Sequence, residues 1–387
     1  MTNTYYQNWN DILEKPLSER DMNLLDYAAK ILMDNMATGN DIPWNPYRCI
    51  MPCRYGFCGI WNWDSAFHAV GVSKLDKELA KEQILGFIQY QCEDGMYPDV
   101  IWTNGEIEIK SSKPPVLPWA TQKISEIDND IAFLKEVYQS FVDNERFWVE
   151  KRCYNGLFHY DANKKLTGDA EYDLYARYES GWDNSVRWDK PIIDYWAIDL
   201  NCYMVMYYRA MNYFAKKLGF ENDAVIWNNK EKMLVKNIEE RMYSDELNSY
   251  VDVNRFTGEK SDVLTPASFM PLYIKTATKE RAEAMSRLAC DKDKFFPGMP
   301  TVTYDNTEYS TDYWRGPTWL NVAYFAAKGL KNYGHTETAD EIKETILNWI
   351  AKDGGKMYEN YDRNGNGMGA PEFSWSAAFV IEFILDF

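Results

Sequence analysis

The residues with the clearest chemical potential lie in one short segment, residues 179–185, which places a carboxylate beside an indole and a glycine. Asp183 follows Trp182 directly, and Trp188 lies just downstream. Because indole rings exclude water and loss of water disfavours a charged carboxylate, we expect a raised pKa for Asp183. Gly181 would let the backbone approach a ligand closely. The segment therefore predicts a catalytic acid at Asp183.

A second group of carboxylates lies far downstream, in residues 358–362 and in the aromatic stretch that follows. Glu359 stands beside Tyr358 and close to Tyr361, and Glu372 precedes a phenylalanine. Two carboxylates in aromatic loops suit glycoside cleavage, which needs one group to protonate the leaving oxygen and another on the opposite face of the sugar. Aromatic rings suit the apolar faces of sugars. Spacing alone leaves Glu359 and Glu372 both open as the partner of Asp183.

Metal and cofactor chemistry is poorly supported by the sequence. Residues 362–367 resemble the first half of a calcium loop, but Phe373 stands where the bidentate glutamate belongs, so we expect a glycine-rich turn. Cys49, Cys53 and Cys58 match no zinc spacing. The odd total of seven cysteines favours reduced thiols over a disulfide framework. We expect no metal and no cofactor.

The net charge of the chain limits which kinds of molecule it is expected to bind. Forty-two basic and 59 acidic residues give a formal charge of −17, which repels nucleic acid and anionic lipid surfaces. The first residues lack the pattern of a signal peptide, and no apolar run is long enough to cross a membrane. We therefore expect a cytoplasmic protein that acts on a small glycoside. Both a monomer and a homo-oligomer are compatible with this composition.

Helical patterns dominate the chain and predict an all-α fold. Asp76 is placed to cap a helix, and apolar residues recur after it at the spacing of one buried helical face. Thr338 with Glu341 predicts a capping box, and Pro317 predicts a first helical turn. About a dozen such segments, separated by long aromatic and glycine-rich loops, predict a toroid of paired helices with its pocket at one end. No linker divides residues 1–387, so we expect a single domain.

Four motifs in order resemble glycoside hydrolase family 63 and, more distantly, the trehalases of family 37. They are GIWNWDSAFH (residues 59–68), ESGWDNSVRWD (179–189), YWRGPTW (313–319) and YENYD with GAPEFSWSAA (358–378). The resemblance implies an (α/α)6 barrel and an inverting, exo-acting α-glycosidase. Its substrate would be a short α-linked glycoside, either an α-glucoside or a compound like those cleaved by the related glucosylglycerate and mannosylglycerate hydrolases.

The same resemblance assigns roles to individual residues. Asp183 takes the general-acid position and Glu359 the general-base position, while Glu372 matches a sugar-binding position in trehalases. The residues implied or favoured as substrate-binding are Trp61, Asn62, Trp63, Asp64, Asn104, Lys113, Gly181, Trp182, Trp314, Arg315, Glu372 and Trp375.

The chain departs from its relatives at residues 112–115, which read Ser-Lys-Pro-Pro. Trehalases have arginine in place of Lys113, and the glycosylglycerate hydrolases have glutamine. Lysine offers three donors and a point charge, so Lys113 could recognise a carboxylate or phosphate on the leaving group.

Several residues have structural alternatives. Asp64 could cap a helix beginning near Ser65, Asp189 could begin a helix, and Arg315 could pair with a carboxylate in the core. A different class of protein is a non-catalytic carbohydrate-binding protein on a hydrolase scaffold, which would keep the tryptophans and lose an acid. A trehalase-like disaccharidase is a further alternative within the hydrolases.

Overall fold

The computed structural model describes residues 16–387, and this part of the chain is built mainly from α-helices. The first fifteen residues of the predicted single domain lie outside the described residues. The helices are α1 (Glu19–Asp34), α2 (Asn62–Val72), α3 (Lys77–Ile88), α4 (Leu117–Asp128), α5 (Ile131–Arg152), α6 (Lys164–Ser180), α7 (Ile198–Leu218), α8 (Glu221–Arg241), α9 (Met270–Tyr273), α10 (Lys279–Cys290), α11 (Leu320–Asn332), α12 (Thr336–Lys352) and α13 (Ser374–Leu385).

Six of these helices close into an inner ring. α2 packs on α4, α4 on α7, α7 on α9, α9 on α11, α11 on α13, and α13 returns to α2. Outer helices cover this ring: α3 packs on α2, α5 and α8 pack on α7, α12 packs on α11, and α1 packs on α13. The fold is an (α/α)6 barrel, as predicted, with α6 as an additional helix.

Burial explains which helices lie inside. Every residue of α2 is buried, and nearly every residue of α13 is apolar or small and buried. A helix that is buried on all sides belongs in the middle of a fold. By contrast, α12 buries one stripe that includes Ile342, Ile346 and Ile350, which is typical of a helix with one face in water.

Short antiparallel strands stiffen the loops between the helices. They are β1 (Met36–Ala37), β2 (Cys49–Ile50), β3 (Gly59–Trp61), β4 (Val100–Trp102), β5 (Ile107–Glu108), β6 (Cys153–Tyr154), β7 (Leu157–Phe158), β8 (Tyr195–Trp196), β9 (Tyr243–Ser244), β10 (Ser249–Tyr250), β11 (Val253–Asn254), β12 (Tyr358–Tyr361) and β13 (Gly367–Pro371). Pairing joins β1 to β2, β6 to β7, β8 to β11, β9 to β10 and β12 to β13. The strands β3, β4 and β5 form one three-stranded sheet.

The predicted helix starts have mixed outcomes. The Asp76 cap is confirmed, because its carboxylate accepts a hydrogen bond from the Leu79 N–H at 2.9 Å. The capping box at Thr338 is wrong: α12 begins at Thr336, so Thr338 lies within its first turn and contacts Cys290. Pro317 is also outside a helix, since α11 begins only at Leu320 and Thr318 pairs with Tyr361 as a β-bridge.

Within residues 16–387, no helix is long and apolar enough to cross a bilayer. In the same part of the chain, no group of three or more histidine, cysteine, aspartate or glutamate side chains is arranged to hold a metal ion. The segment 362–367 is a turn in which the Asp362 carboxylate accepts hydrogen bonds from the N–H groups of Asn364 and Asn366 at 2.8 and 2.9 Å. Asp362 therefore closes its own loop.

Candidate active site

A cavity lies at the N-terminal ends of four inner helices. It receives side chains from the start of α2, from the segments leading into α4 and α11, and from the start of α13. We call it the inner cavity. Its polar lining residues are Asp64, Lys113, Asp183, Tyr313 and Glu359, and its aromatic ones are Phe57, Trp61, Trp63, Trp314, Phe373 and Trp375.

Asp183 reaches the inner cavity because the chain turns sharply after α6. Gly181 ends this helix in the left-handed region, at φ 73°. A Cβ atom at this position would lie 2.4 Å from Cζ2 of Trp63, so glycine is required both by the backbone and by the close approach of this ring. Trp63, whose ring lies against Gly181, also lines the inner cavity.

A buried ionic cluster holds the segment that carries Asp183. The Arg187 guanidinium donates to Asp199 at 2.8 and 2.9 Å and to Asp252 at 2.9 Å. It also lies 4.9 Å from the ring centre of Trp182 and 4.4 Å from that of Trp188. Both indoles are fully buried.

Glu359 is held on β12 by two hydrogen bonds. Its Oε1 accepts from the Tyr313 hydroxyl at 2.9 Å, and its Oε2 accepts from the Ala370 N–H at 3.1 Å. Ala370 belongs to β13, which pairs with β12. A Cβ at Gly369 would lie 2.4 Å from Oε2 of Glu359, so this glycine leaves the space that the carboxylate occupies. Because each oxygen of Glu359 accepts a hydrogen bond, the orientation of its carboxylate is fixed.

The pKa values of both candidate catalytic carboxyls are raised, which favours their protonated forms. Burial raises the pKa of Asp183, and the charge of Lys113 offsets part of this effect. Burial also raises the pKa of Glu359, the hydrogen bonds from Ala370 and Tyr313 oppose it, and the charge of Asp183 adds to it. The protonation of Glu359 therefore depends in part on the charge of Asp183.

Two further carboxyls surround Lys113. Burial raises the pKa of Asp64 to about 8 and that of Asp99 to about 7, and in both cases Lys113 lowers the value from what burial alone would give. Burial also opposes the charge on Lys113, but the carboxylates of Asp99, Asp183 and Asp64 outweigh it and raise the pKa of this lysine. Lys113 is therefore a fixed positive charge among acids, and protonated Asp64 can both donate and accept hydrogen bonds.

A second cavity adjoins the first, and we call it the side cavity. It shares Trp61, Lys113 and Asp183 with the inner cavity. Its remaining lining residues are Asp99, Val100, Trp102, Glu108, Tyr175 and Tyr178.

The structure brings nine of the predicted site residues to the inner cavity, and these are Trp61, Trp63, Asp64, Lys113, Gly181, Asp183, Trp314, Glu359 and Trp375. The capping alternative for Asp64 is wrong, because α2 begins at Asn62 and Asp64 lines the cavity instead. Asp189 does not begin a helix either, since it follows the last residue of a short 3-10 turn.

Five predicted residues lie elsewhere, and the first three of them are Asn104, Asn62 and Glu372. Asn104 lies in the turn between β4 and β5, where its side chain accepts from the Glu106 N–H at 3.0 Å. Asn62 is buried and donates to the Pro98 carbonyl at 3.4 Å. Glu372 has a positive φ of 54° and accepts from the Tyr27 hydroxyl at 2.7 Å.

The other two of these five are Trp182 and Arg315. Trp182 is fully buried and packs on Trp314, with ring centres 5.0 Å apart. Arg315 forms a two-pronged ion pair with Asp189 at 2.7 and 2.9 Å, so it does pair with a carboxylate, but the expected core position of this partner is wrong because Asp189 is half-exposed. Neither side chain lines the inner cavity.

Sequence reasoning missed several residues that line the two cavities, among them Tyr313, Phe57 and Asp99. Tyr313 lies within a motif that was recognised, yet its contact with Glu359 depends on a positive φ of 50°, which the sequence does not reveal. Phe57 precedes the first motif and packs on Trp61 at 5.5 Å. Asp99 has no motif around it, and it pairs with Lys113 at 3.1 Å.

A closed ring of paired helices whose N-terminal ends surround an acid-bearing, aromatic-walled cavity is the architecture of (α/α)6-barrel glycoside hydrolases, and this chain is one of them. It belongs to a particular family within that class: the family model of the mannosylglycerate hydrolase MGH1-like glycoside hydrolase domain matches residues 58–376. This match includes every residue of the inner cavity except Pro52 and Phe57.

Individual relatives agree with this assignment. The chain is 22% identical over 407 residues to the mannosylglycerate hydrolase of Rubrobacter radiotolerans, covering 84% of this chain and 90% of the relative. It is 28% identical over 221 residues to a periplasmic trehalase of Escherichia coli O1:K1 / APEC, covering 54% and 38%. The crystal structure of the family 63 mannosylglycerate hydrolase from Thermus thermophilus with Tris and D-glycerate superposes with a TM-score of 0.79 at 20% identity, covering 92% of this chain and 99% of that one.

Proposed function

We propose that this enzyme is an exo-acting α-glycosidase that hydrolyses a short α-linked glycoside with inversion at the anomeric carbon. The glycone is a hexose such as glucose or mannose, held in the inner cavity. Asp183 donates a proton to the leaving oxygen as the glycosidic bond breaks, and Glu359 accepts a proton from the water that attacks the opposite face of the sugar. Each turnover consumes one water and releases the free sugar and the free aglycone.

One observation carries the proposal: Asp183 and Glu359, from segments far apart in the sequence, line the same cavity. Burial of Asp183 favours the protonated form that a general acid needs. The hydrogen bonds to both oxygens of Glu359 favour its charged form and fix its direction, as a general base requires. Burial raises the pKa of both carboxyls, and the hydrogen bonds to Glu359 are what oppose this rise at the candidate base.

The remaining polar groups suit recognition of the glycone. Asp64 lines the cavity and, with a pKa of about 8, is protonated at neutral pH, so it can hydrogen-bond to sugar hydroxyls in both directions. Trp63, Trp314 and Trp375 supply flat apolar surfaces for the ring. We also propose that the enzyme works in the cytoplasm, which the seven free cysteines support.

The acid and base roles can be separated by the leaving group. A glycosyl fluoride departs without protonation, so Asp183→Asn should lose roughly 10²- to 10⁴-fold in kcat on an alkyl glycoside and far less on the α-glycosyl fluoride. Glu359→Gln should lose activity on both, because both need activated water. Circular dichroism would establish that both variants fold. Equal loss on both substrates for Asp183→Asn would remove it from the acid role.

A further inference from the structure

The side cavity touches the candidate acid but not the candidate base. Asp183 lines both cavities, whereas Glu359 contributes to the inner cavity only. A general acid lies next to the leaving oxygen, and a general base acts on the far side of the sugar. The side cavity is therefore where the aglycone would lie, an argument that rests on the function proposed above.

Acidic groups outnumber basic ones around the side cavity. Its described lining contains the carboxyls of Asp99, Glu108 and Asp183 and a single cation, Lys113. The Lys113 ammonium already donates to Oδ2 of Asp99 at 3.1 Å and to the carbonyl of Tyr178. A carboxylate or phosphate entering this cavity would find the positive charge already paired with Asp99, and it would also face the carboxylate of Glu108.

A second lysine, Lys110, lies close by and is also engaged. It does not line the side cavity, and its ammonium donates to the Tyr175 hydroxyl at 2.9 Å and lies 3.6 Å from Glu171. The same group lies 4.4 Å from the centre of the Tyr175 ring. Lys110 instead lines an adjoining surface cavity together with Glu106 and Glu108. Both lysines thus already have partners that an anionic aglycone would have to displace.

The cavity does offer what a neutral polyhydroxylated group needs. Trp61 and Trp102 meet edge to face with ring centres 4.9 Å apart, which makes an apolar corner. Asp99 is only 5% exposed, and its Oδ1 atom has no hydrogen-bond partner among the described residues. A buried carboxylate oxygen without a partner is costly unless a ligand or water supplies a donor. A sugar or polyol hydroxyl would supply it.

We propose that the side cavity selects an uncharged, polyhydroxylated aglycone, either a neutral sugar or a polyol, and discriminates against aglycones that carry a carboxylate or phosphate. This reverses the expectation drawn from the sequence, in which Lys113 recognised an acidic aglycone. Lys113 keeps its charge, but this charge forms the ion pair with Asp99 and lowers the pKa of Asp183.

Matched substrates isolate the charge. Glucosylglycerol and glucosylglycerate in the α configuration share the sugar and the linkage, and they differ in one hydroxymethyl group against one carboxylate; the mannosyl pair differs in the same way. We expect kcat/KM to be at least roughly tenfold higher for the neutral member of the pair that is hydrolysed. A ratio below about tenfold, or a preference for the glycerate compounds, overturns the inference.

Binding separates this inference from the proposed function. Calorimetry on Asp183→Asn, which should bind without turnover, is expected to give a lower Kd for the neutral compound by a similar factor. If the wild-type enzyme hydrolyses no substrate while this preference in binding remains, the proposed function fails and the inference stands. Equal Kd values, or no binding of any neutral glycoside, overturn the inference whatever the turnover.

A charge variant provides a second test. Glu108→Gln removes one negative charge from the side cavity while keeping an oxygen that can accept from the Lys110 backbone N–H, as Glu108 does at 2.9 Å. We expect the ratio of kcat/KM for glycerate over glycerol compounds to rise roughly three- to tenfold. Glu106→Gln, in the exposed turn outside the side cavity, is the matched control and should leave the ratio unchanged. An unchanged ratio in Glu108→Gln as well would contradict the inference.

Discussion

The hydroxyl group of Tyr313 donates a 2.9 Å hydrogen bond to Oε1 of Glu359. Hydrogen bonds to a charged group contribute about 1.5–3 kcal/mol, and this one favours the deprotonated form of Glu359. We therefore expect Tyr313→Phe to lower kcat by roughly ten- to a hundredfold at neutral pH.

The pH profile of this variant tests the cause. Removing the donor raises the pKa of Glu359, so the base is protonated at a higher pH and the acidic limb of kcat/KM should move to higher pH. Tyr358→Phe is the control, because Tyr358 neighbours Glu359 without lining the inner cavity. A lower kcat with an unmoved acidic limb would mean that Tyr313 acts in some other way.

Gly181 and Gly219 offer a matched pair of substitutions. Both end a helix in the left-handed region, at φ 73° and 75°, but a Cβ at Gly181 would lie 2.4 Å from Trp63, whereas a Cβ at Gly219 meets nothing within 4 Å. Gly219→Ala should cost about 1 kcal/mol of unfolding free energy and leave kcat/KM unchanged. Gly181→Ala should cost at least about 1–3 kcal/mol more and lower kcat/KM, since Trp63 must move. Similar effects of the two substitutions in urea unfolding and kinetics would show that Trp63 adapts freely.

The ionic cluster at Arg187 predicts a large effect on stability. Arg187→Met leaves the buried carboxylates of Asp199 and Asp252 without their cation, and breaking a buried pair costs about 3–5 kcal/mol. Arg315→Met removes a pair with the half-exposed Asp189 and should cost less than about 1 kcal/mol. Denaturant unfolding of the two variants measures the difference, and equal costs would contradict the role assigned to Arg187.

Lys113 should set the alkaline limb of the activity profile. Its charge lowers the pKa of Asp183 against the effect of burial. Lys113→Gln removes this charge, so the pKa of Asp183 rises, the acid stays protonated to higher pH, and the alkaline limb of kcat/KM should move upward. Lys110→Gln, which lies outside the inner cavity, should leave the limb in place. A downward shift in Lys113→Gln would contradict Asp183 as the titrating acid.

The sequence predicted those parts of the site that depend on short motifs. Asp183 follows a glycine and an indole, and Trp63 and Asp64 lie in a motif that resembles family 63; the structure places all three side chains at the inner cavity. The ring of helices was predictable for a similar reason, because apolar periodicity is a local property. Helix starts such as Thr336 were harder, since α12 begins without a side-chain cap.

Residues whose direction depends on tertiary pairing could not be predicted in this way. Asn104 is carried to a turn outside the cavity by the pairing of β4 with β5. Glu372 turns toward Tyr27 because its backbone adopts a positive φ. Lys113 was correctly recognised as a charge in the site, but its partner Asp99 becomes visible only when the two segments pack together.

The stereochemistry of the product tests the central claim most directly. If Asp183 and Glu359 act as general acid and general base on opposite faces of the sugar, an α-linked substrate must release the β-anomer first, and proton NMR in the first minutes of hydrolysis should show this anomer before mutarotation. Initial release of the α-anomer would mean a covalent intermediate on one carboxylate and would contradict the account.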